Sequence, residues 1–212
     1  GTPIWEKALA AAKTAVEDPT FMQAFGKDGA ARARHAVQNM PADPVHSVTI
    51  STMHGCPPAE IERIGAYLIE EKGFDTYVKL NPTLLGYDRV RGILDTTGWQ
   101  RISLTRPTFE HDLHFDAALE LIASLQAKAK ARGRAFGVKL SNTLANVNDG
   151  SRLPGGERYL SGRALFPITV RLAADLATAL TAKHGTVPLA FSYCGGASAH
   201  NAAACLAAGL GP

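Results

Sequence analysis

One of the three cysteines, Cys56, lies where a predicted strand meets a predicted helix. The strand is predicted over 46–52, because β-branched residues such as Val48 and Ile50 suit a packed, pleated strand. Two prolines follow the cysteine and fit the first turn of a helix, which the apolar spacing extends over 59–72. A helix dipole favours a thiolate, so we expect a lowered pKa for this thiol. This position favours a functional cysteine over the alternative, a small buried apolar residue.

Polar or glycine-rich segments follow each of five predicted strands. Strands alternate with helices in this part of the chain, which indicates a parallel sheet whose carboxyl ends share one edge. In a barrel, that edge is the mouth at which active sites are built. The five segments are 52–56, 79–83, 105–108, 139–143 and 192–196.

Two lysines occupy matching Val-Lys-Leu strands. Lys79 and Lys139 each follow an apolar run inside a strand, where lysine is rare unless it is paired or used in function. Either lysine alone could extend its ammonium group to the rim or pair with a carboxylate. The repeated pattern favours an anionic cofactor or a carbonyl substrate.

Two glycine turns precede predicted helices. Gly195 and Gly196 follow the last strand, and Ser161 and Gly162 precede the helix predicted over 166–183. Such turns allow a phosphate to approach the backbone at a helix N-terminus, although an ordinary tight turn explains the glycines equally well. The segment 146–159 is predicted to be a long loop, and long loops often act as lids.

The remaining cysteines and histidines offer weaker candidates. Cys194 and Cys205 are predicted to be ordinary apolar residues. His54, His111 and His114 could bind a ligand or carry protons, and the last two, which flank Asp112, are predicted to be solvated. No Cys/His spacing predicts a metal site. Three sparse cysteines favour a reducing compartment over a disulfide framework.

Length, composition and charge limit the classes of protein to which this chain can belong. The chain has 212 residues, 46% of them hydrophobic, enough for one large domain with a core. A net charge of +3 gives no case for nucleic acid or a membrane surface as partner. We find no apolar run of membrane-spanning length and no signal-peptide pattern.

The order of predicted elements indicates an α/β fold. A helical segment over 1–45, broken at Asp18-Pro19, precedes five βα units over 46–212. A partial (βα)8 barrel and an open doubly wound sheet both fit, and we expect a piece of a longer protein, since a full barrel needs about 250 residues. The strands are predicted at 46–52, 76–80, 101–105, 135–140 and 188–193, and the helices at 59–72, 88–96, 116–131, 166–183 and 199–208. Every strand is nearly all apolar, which predicts a sheet covered on both faces.

Four motifs resemble a known family. The stretches are Ser-Thr-Met-His-Gly-Cys-Pro-Pro (51–58), Val-Lys-Leu-Asn-Pro-Thr-Leu-Leu-Gly (78–86), Ser-Gly-Arg-Ala-Leu-Phe-Pro (161–167) and Gly-Gly-Ala-Ser (195–198). Over 46–212 the chain resembles the selenate reductase iron–sulfur subunit family. More distantly, it is similar to the FMN-binding barrels of dihydropyrimidine and dihydroorotate dehydrogenases.

The resemblance implies roles for particular residues. Cys56 would be the catalytic residue, acting as general acid or base opposite the flavin N5. Lys79 would contact the flavin ring, although an extra βα unit leaves Lys139 as an alternative. The implied substrate-binding residues are Asn81, Asn142 and Thr143, and the implied phosphate-binding residues are Ser161, Gly162, Gly195 and Gly196.

The resemblance also implies a context. FMN would mediate hydride transfer with a small planar polar substrate, in a cytoplasmic protein. Iron–sulfur clusters and an FAD/NADPH domain would lie elsewhere in a longer chain or its partner subunits, as would the strands that complete the barrel. Two alternatives remain open: a Schiff-base lyase or aldolase using Lys79 or Lys139, and a non-catalytic barrel between electron-transfer domains.

Overall fold

The computed structural model describes residues 3–41, 45–51, 55–150, 153–185 and 189–211. Contacts divide the chain into two compact units, Gly1–His46 and Ser47–Pro212. The smaller unit contains α1 (Pro3–Ala15), α2 (Pro19–Gln23) and α3 (Gly26–Gln38).

The predicted break at Asp18-Pro19 is confirmed. The Asp18 carboxylate caps α2 by accepting a hydrogen bond from the Thr20 backbone N–H at 2.7 Å, which satisfies a donor at the helix start. Most of the proline-rich segment at 41–44 lies outside the described residues.

The larger unit is built on a five-stranded parallel sheet. Parallel strands need crossover connections, and helices provide them here. The sheet strands, in their spatial order, are β1 (Ser47–Ser51), β2 (Asp75–Leu80), β3 (Phe136–Leu140), β6 (Ala190–Tyr193) and β7 (Leu210–Gly211). The helices are α4 (Pro58–Ala66), which continues as a π-turn to Glu71, α5 (Tyr87–Thr96), α6 (Arg106–His111), α7 (Phe115–Ala131), α8 (Leu165–His184) and α9 (Ala202–Ala207). This arrangement is part of a TIM barrel, as the sequence predicts.

One face of the sheet forms the core. Val78 and Leu80 of β2 and Val138 and Leu140 of β3 are fully buried, and they pack with apolar residues of α4, α7 and α8. By length and composition alone, the segment Gly162–His184 could also cross a membrane. Seven residues of α8 are buried in this core, however, so α8 is a core helix of the domain.

The other face of the sheet corrects one prediction. Burial alternates along β2, from half-buried Asp75 to buried Leu80, rather than covering both faces. The helices pack on the face of Val78, while Tyr77 and Lys79 lie on the opposite face, the inner side of the barrel arc.

Two segments differ from the prediction in type. Residues 101–105 form no strand of the sheet, because Leu104 makes only an isolated antiparallel bridge with Asn146. The segment predicted as a long loop at 146–159 instead lies within an antiparallel hairpin of β4 (Leu144–Val147) and β5 (Glu157–Leu160). Because residues 101–105 are not in the sheet, β3 lies directly beside β2, and the fifth strand of the sheet is β7.

Candidate functional site

A row of polar side chains crosses the inner face near the carboxyl ends of the strands. Ser51 pairs with Lys79, Lys79 with Lys139, and Lys139 with Ser192, and residues paired in a parallel sheet point to the same face. The Lys139 ammonium donates to the Ser192 hydroxyl at 3.3 Å. We call these four residues the lysine row. Both candidate lysines therefore lie at one level on one face.

The aromatic ring of Tyr77 lies on the same face of the sheet as the lysine row, two residues before Lys79 on β2. Tyr77 pairs with Gly137, and a Cβ at position 137 would lie 2.5 Å from the Tyr77 ring. Glycine is therefore required there for the ring to lie over the β3 backbone.

Two buried amides join β2 to β3 at the carboxyl edge. Asn142 Nδ2 donates to Asn81 Oδ1 at 2.7 Å and to the Lys79 carbonyl at 3.3 Å. Ser51 Oγ donates to Asn142 Oδ1 at 3.2 Å. Asn81 is 5% exposed and Asn142 is 8% exposed. Sequence predicted both as substrate-binding residues; the structure brings them together, with their amides bonded to the protein. Thr143, next in the chain, is half-buried.

A buried carboxylate that sequence analysis missed extends this network. Asp112, which lies between two histidines that the sequence predicts to be solvated, is only 3% exposed. Its Oδ2 accepts from Asn81 Nδ2 at 3.2 Å and from Thr83 Oγ1 at 2.7 Å, while its Oδ1 accepts from the Gly55 N–H at 3.1 Å. We call Ser51, Gly55, Asn81, Thr83, Asp112 and Asn142 the Asp112 cluster. It joins the turn before Cys56 to the ends of β2 and β3.

The structure places Cys56 at the carboxyl edge but corrects its predicted pKa. The side chain is half-buried between β1 and α4 and packs against the core. Burial, and secondarily the Glu60 carboxylate, raise the pKa of the Cys56 thiol, since both disfavour the thiolate. Helix α4 begins two residues later, at Pro58. A thiol with a raised pKa is suited to donate a proton rather than to act as a thiolate nucleophile.

A small cleft adjoins the turn at Gly55. Its volume is about 260 Å³, and its walls include α6 and the β4–β5 hairpin. Exposed His111 lines it, with Nδ1 donating to the Pro107 carbonyl at 2.6 Å, so in the neutral ring Nε2 is the acceptor. Asp112 and Glu157 supply carboxylates to the same walls.

A second cleft, of about 380 Å³, lies beside β6 and the start of α8. Gly196 has φ of +81°, and a Cβ there would lie 2.8 Å from both the Gly162 carbonyl and the Phe166 nitrogen. The two glycine turns that sequence analysis singled out are therefore in contact. We call this space the glycine cleft, and it is lined by Arg163, Phe166, Gly196, Ser198, His200 and Asn201.

The glycine cleft contains two basic side chains that sequence analysis did not select. Arg163 and His200 are exposed and line it. Arg163 immediately follows the Ser161-Gly162 turn, a position in the sequence that could have drawn attention to it. A guanidinium, an imidazole and a helix start provide the donors that an anion such as phosphate requires.

Hydrogen bonds fix the strand that leads into this cleft. The Cys194 and Gly195 N–H groups both donate to the Leu140 carbonyl, at 2.7 and 3.0 Å. Tyr193 OH donates to the Gly195 carbonyl at 2.8 Å, and burial raises the pKa of Tyr193, so the phenol remains a donor. Contrary to prediction, Cys194 is exposed, whereas Cys205 is buried as predicted.

Some candidates lie apart from the carboxyl edge or outside the described residues. His54 falls in 52–54, which the structure does not describe, and His114 is exposed as predicted.

A cleft of about 440 Å³ lies between α5 and α8, on the outer side of the sheet. Its Arg89 and Arg171 both pair with Asp175, whose single carboxylate offsets one of their two positive charges.

The open parallel arc, with polar groups gathered at its carboxyl edge, defines a TIM-barrel type of domain. The family model described as oxidoreductase YgfK, N-terminal TIM-barrel domain, matches residues 1–212, and the chain belongs to this oxidoreductase family. The chain is 49% identical over 187 residues to the provisionally named oxidoreductase YgfK of Escherichia coli (strain K12) and, equally, to that of strain O157:H7. The match covers 86% of this chain and 17% of each relative. No solved structure matches the chain.

Proposed function

We propose that this chain is the flavin-binding part of an oxidoreductase, with FMN at the carboxyl edge of the barrel. The observation that carries the proposal is the arrangement of that edge. A basic, glycine-lined cleft lies at one end, and the Asp112 cluster lies at the other. The lysine row runs across the sheet from Ser51 of β1 to Ser192 of β6.

The glycine cleft fits the phosphate end of FMN. Gly196 would admit the phosphate close to the backbone, and Ser161, Gly162 and Gly195 belong to the same two turns. Arg163 would supply positive charge, His200 would offer a ring N–H, and the start of α8 adds its dipole. Each of these groups complements a phosphate dianion.

The lysine row fits the polar edge of an isoalloxazine ring. Bound FMN would supply hydride transfer, and an ammonium group beside the ring favours its anionic reduced form. Lys79 remains our choice for this role, because it lies nearer the Asp112 cluster: Asn142 donates to the Lys79 backbone carbonyl. Lys139 lies beside it and donates to Ser192.

The other end of the edge would bind and protonate the substrate. The raised pKa of Cys56 keeps its thiol protonated near neutral pH, so we assign it as the general acid. Asn81, Asn142 and Thr143 would face a small planar polar substrate, as in dihydropyrimidine dehydrogenase-like barrels. Since the amides of both asparagines already bond within the protein, we expect them to shape this wall more than to bind substrate.

The wider context follows from the same proposal. We expect electrons to pass between this barrel and iron–sulfur or FAD/NADPH sites elsewhere in a longer, cytoplasmic protein, or in its partner subunits. The motifs resemble the selenate reductase-like family, but they contain no molybdenum or selenium site, so a dihydropyrimidine dehydrogenase-like activity is the specific form that we propose.

The test is flavin binding by the full-length protein. Purified protein is expected to show a flavin absorption spectrum and, after the flavin is removed, to bind FMN again. Cys56→Ala should retain FMN and lose turnover. Lys79→Met should weaken FMN binding by about tenfold, the loss expected for one charge-assisted contact.

The control is Lys72→Met, which removes an exposed lysine that lies over the Tyr67 ring rather than on the inner face. It should bind FMN as the unaltered protein does. A full-length protein that binds no flavin would contradict the proposal. Borohydride trapping of a keto substrate on Lys79 or Lys139 would instead support the Schiff-base alternative.

A further inference from the structure

Four side chains form a continuous line of hydrogen bonds across the carboxyl edge. Ser51 Oγ donates to Asn142 Oδ1, Asn142 Nδ2 donates to Asn81 Oδ1, and Asn81 Nδ2 donates to Asp112 Oδ2. The distances are 3.2, 2.7 and 3.2 Å. Each amide therefore accepts on one side and donates on the other.

The direction of this line follows from its last member. An ionised carboxylate can only accept, so Asn81 must turn Nδ2 toward Asp112 and Oδ1 toward Asn142. A backbone carbonyl can also only accept, and the Lys79 carbonyl accepts from Asn142 Nδ2 at 3.3 Å. Two acceptor-only groups thus fix both amides in the same sense.

We infer that Asp112 is a positioning residue, which sets the direction of this line and holds the turn before Cys56. It acts on the cysteine through the Gly55 N–H, which it binds at 3.1 Å, and on the amides through Asn81. A third donor, Thr83 Oγ1, holds the carboxylate in place at 2.7 Å. The inference does not depend on which cofactor the barrel binds.

The direction of this line of hydrogen bonds determines what Ser51 offers to a ligand at the surface. The Ser51 hydroxyl proton is committed inward to Asn142, so its oxygen offers lone pairs outward. Ser51 is exposed and pairs with Lys79 in the lysine row. This end of the row therefore presents a hydrogen-bond acceptor and suits a ligand with an N–H or O–H donor at that point.

An exchange of the acid and the amide tests the inference in the full-length protein. Asn81→Asp puts a second carboxylate against Asp112, so we expect the two loops to separate. The double variant, Asn81→Asp with Asp112→Asn, restores these contacts in a new form. The amide introduced at position 112 would donate to the new carboxylate at position 81 and accept from the Gly55 N–H. That carboxylate would still accept from Asn142, and the Thr83 hydroxyl can turn to accept from the amide at position 112.

The readout is the rate at which iodoacetamide labels Cys56, followed by mass spectrometry of its peptide, with exposed Cys194 as the internal reference. The single variant should label about tenfold faster than the unaltered protein, since a lost buried contact costs about that factor. The exchanged double variant should return to within about twofold of the unaltered rate, because its contacts are restored. Asn39→Asp, in the smaller unit, is the matched control and should label normally.

Each labelling result tests one part of the inference. Normal labelling of Asn81→Asp would overturn the inference, because repelling Asp112 from the Asn81 side would then leave the turn that it holds at the Gly55 N–H unchanged. A double variant that labels as fast as the single one would overturn the direction of the line. Labelling needs neither flavin nor substrate, so these results stand apart from the FMN-binding test of the proposed function.

Discussion

The glycine cleft and the Asp112 cluster lie on the same sheet edge but are built in opposite ways. The glycine cleft consists of backbone turns with basic side chains at its surface, Arg163 and His200. The Asp112 cluster consists of polar side chains around one carboxylate that is 3% exposed. The first is suited to attract a mobile anion, and the second to hold groups in fixed positions.

Because they are built differently, the two regions tolerate different kinds of substitution. A cleft made of backbone turns keeps its shape when its surface side chains change, but not when volume is added at its glycines. A buried polar network tolerates neither a lost acceptor nor a reversed amide, because each unsatisfied group costs free energy in the interior. Substitutions should therefore affect the two regions by different mechanisms.

The largest effect is expected from Asp112→Ala. It leaves the Gly55, Asn81 and Thr83 donors without their acceptor, at a local cost of about 3 kcal/mol or more. Hydrogen–deuterium exchange of the full-length protein should show faster exchange around residues 55 and 81–85. Asp149→Ala, which breaks only an exposed pair with Arg158, should change exchange little. If the two variants changed exchange equally, Asp112 would not be the residue that holds these donors in place.

Gly196→Ala should have the next largest effect, confined to the other region. The added Cβ would approach the Gly162 carbonyl and the Phe166 nitrogen at 2.8 Å, in a backbone conformation that disfavours alanine. We expect a local cost of about 2 to 4 kcal/mol and loss of FMN binding. Titration with FMN measures it.

Gly92→Ala is the matched control, because a Cβ there meets nothing within 4 Å. Inside helix α5 it should be neutral, or stabilising by about 0.5 to 1 kcal/mol. If Gly196→Ala binds FMN as well as this control does, the glycine cleft is not the phosphate site.

Arg163→Gln should weaken FMN binding by about tenfold without altering exchange in the Asp112 cluster. The loss should shrink as salt is raised, because the guanidinium is exposed and screened. Binding titrations at two salt concentrations measure both effects. A salt-independent loss would indicate a packing role for Arg163 instead.

Glu60→Gln should have the smallest effect, seen only in pH dependence. The ionised Glu60 carboxylate disfavours the thiolate and so, after burial, raises the pKa of Cys56. Removing that charge should shift the pH midpoint of Cys56 alkylation downward. Burial, the larger cause, remains, so the midpoint should stay above that of an exposed thiol. The control Glu70→Gln should leave the midpoint where it is, and an upward shift in Glu60→Gln would contradict the assignment.

Sequence patterns predicted the glycine cleft far better than the Asp112 cluster. Gly195-Gly196 and Ser161-Gly162 are local signals, since each turn needs its own small residues. The contacts of Asp112 join it to Asn81 and Gly55, which lie 31 and 57 residues away in the chain. No periodicity near His111 marks its neighbour as buried, so only the fold reveals the cluster.

The fold itself was predictable where apolar runs were long. Helices such as α7 and α8 begin and end within one residue of their predicted bounds. The strand predicted at 101–105 was wrong because its short run contributes only Leu104 to a bridge with the hairpin. The lowered pKa predicted for Cys56 was wrong because sequence shows the helix start but neither the burial of the thiol nor the proximity of Glu60.

The most direct test of the account is a crystal structure of the full-length protein with FMN bound. We predict the phosphate within hydrogen-bonding distance of Arg163 and the Gly196 turn, with the flavin ring against the lysine row. Flavin bound away from the carboxyl edge, or a ring on the helix-covered face of the sheet, would contradict it.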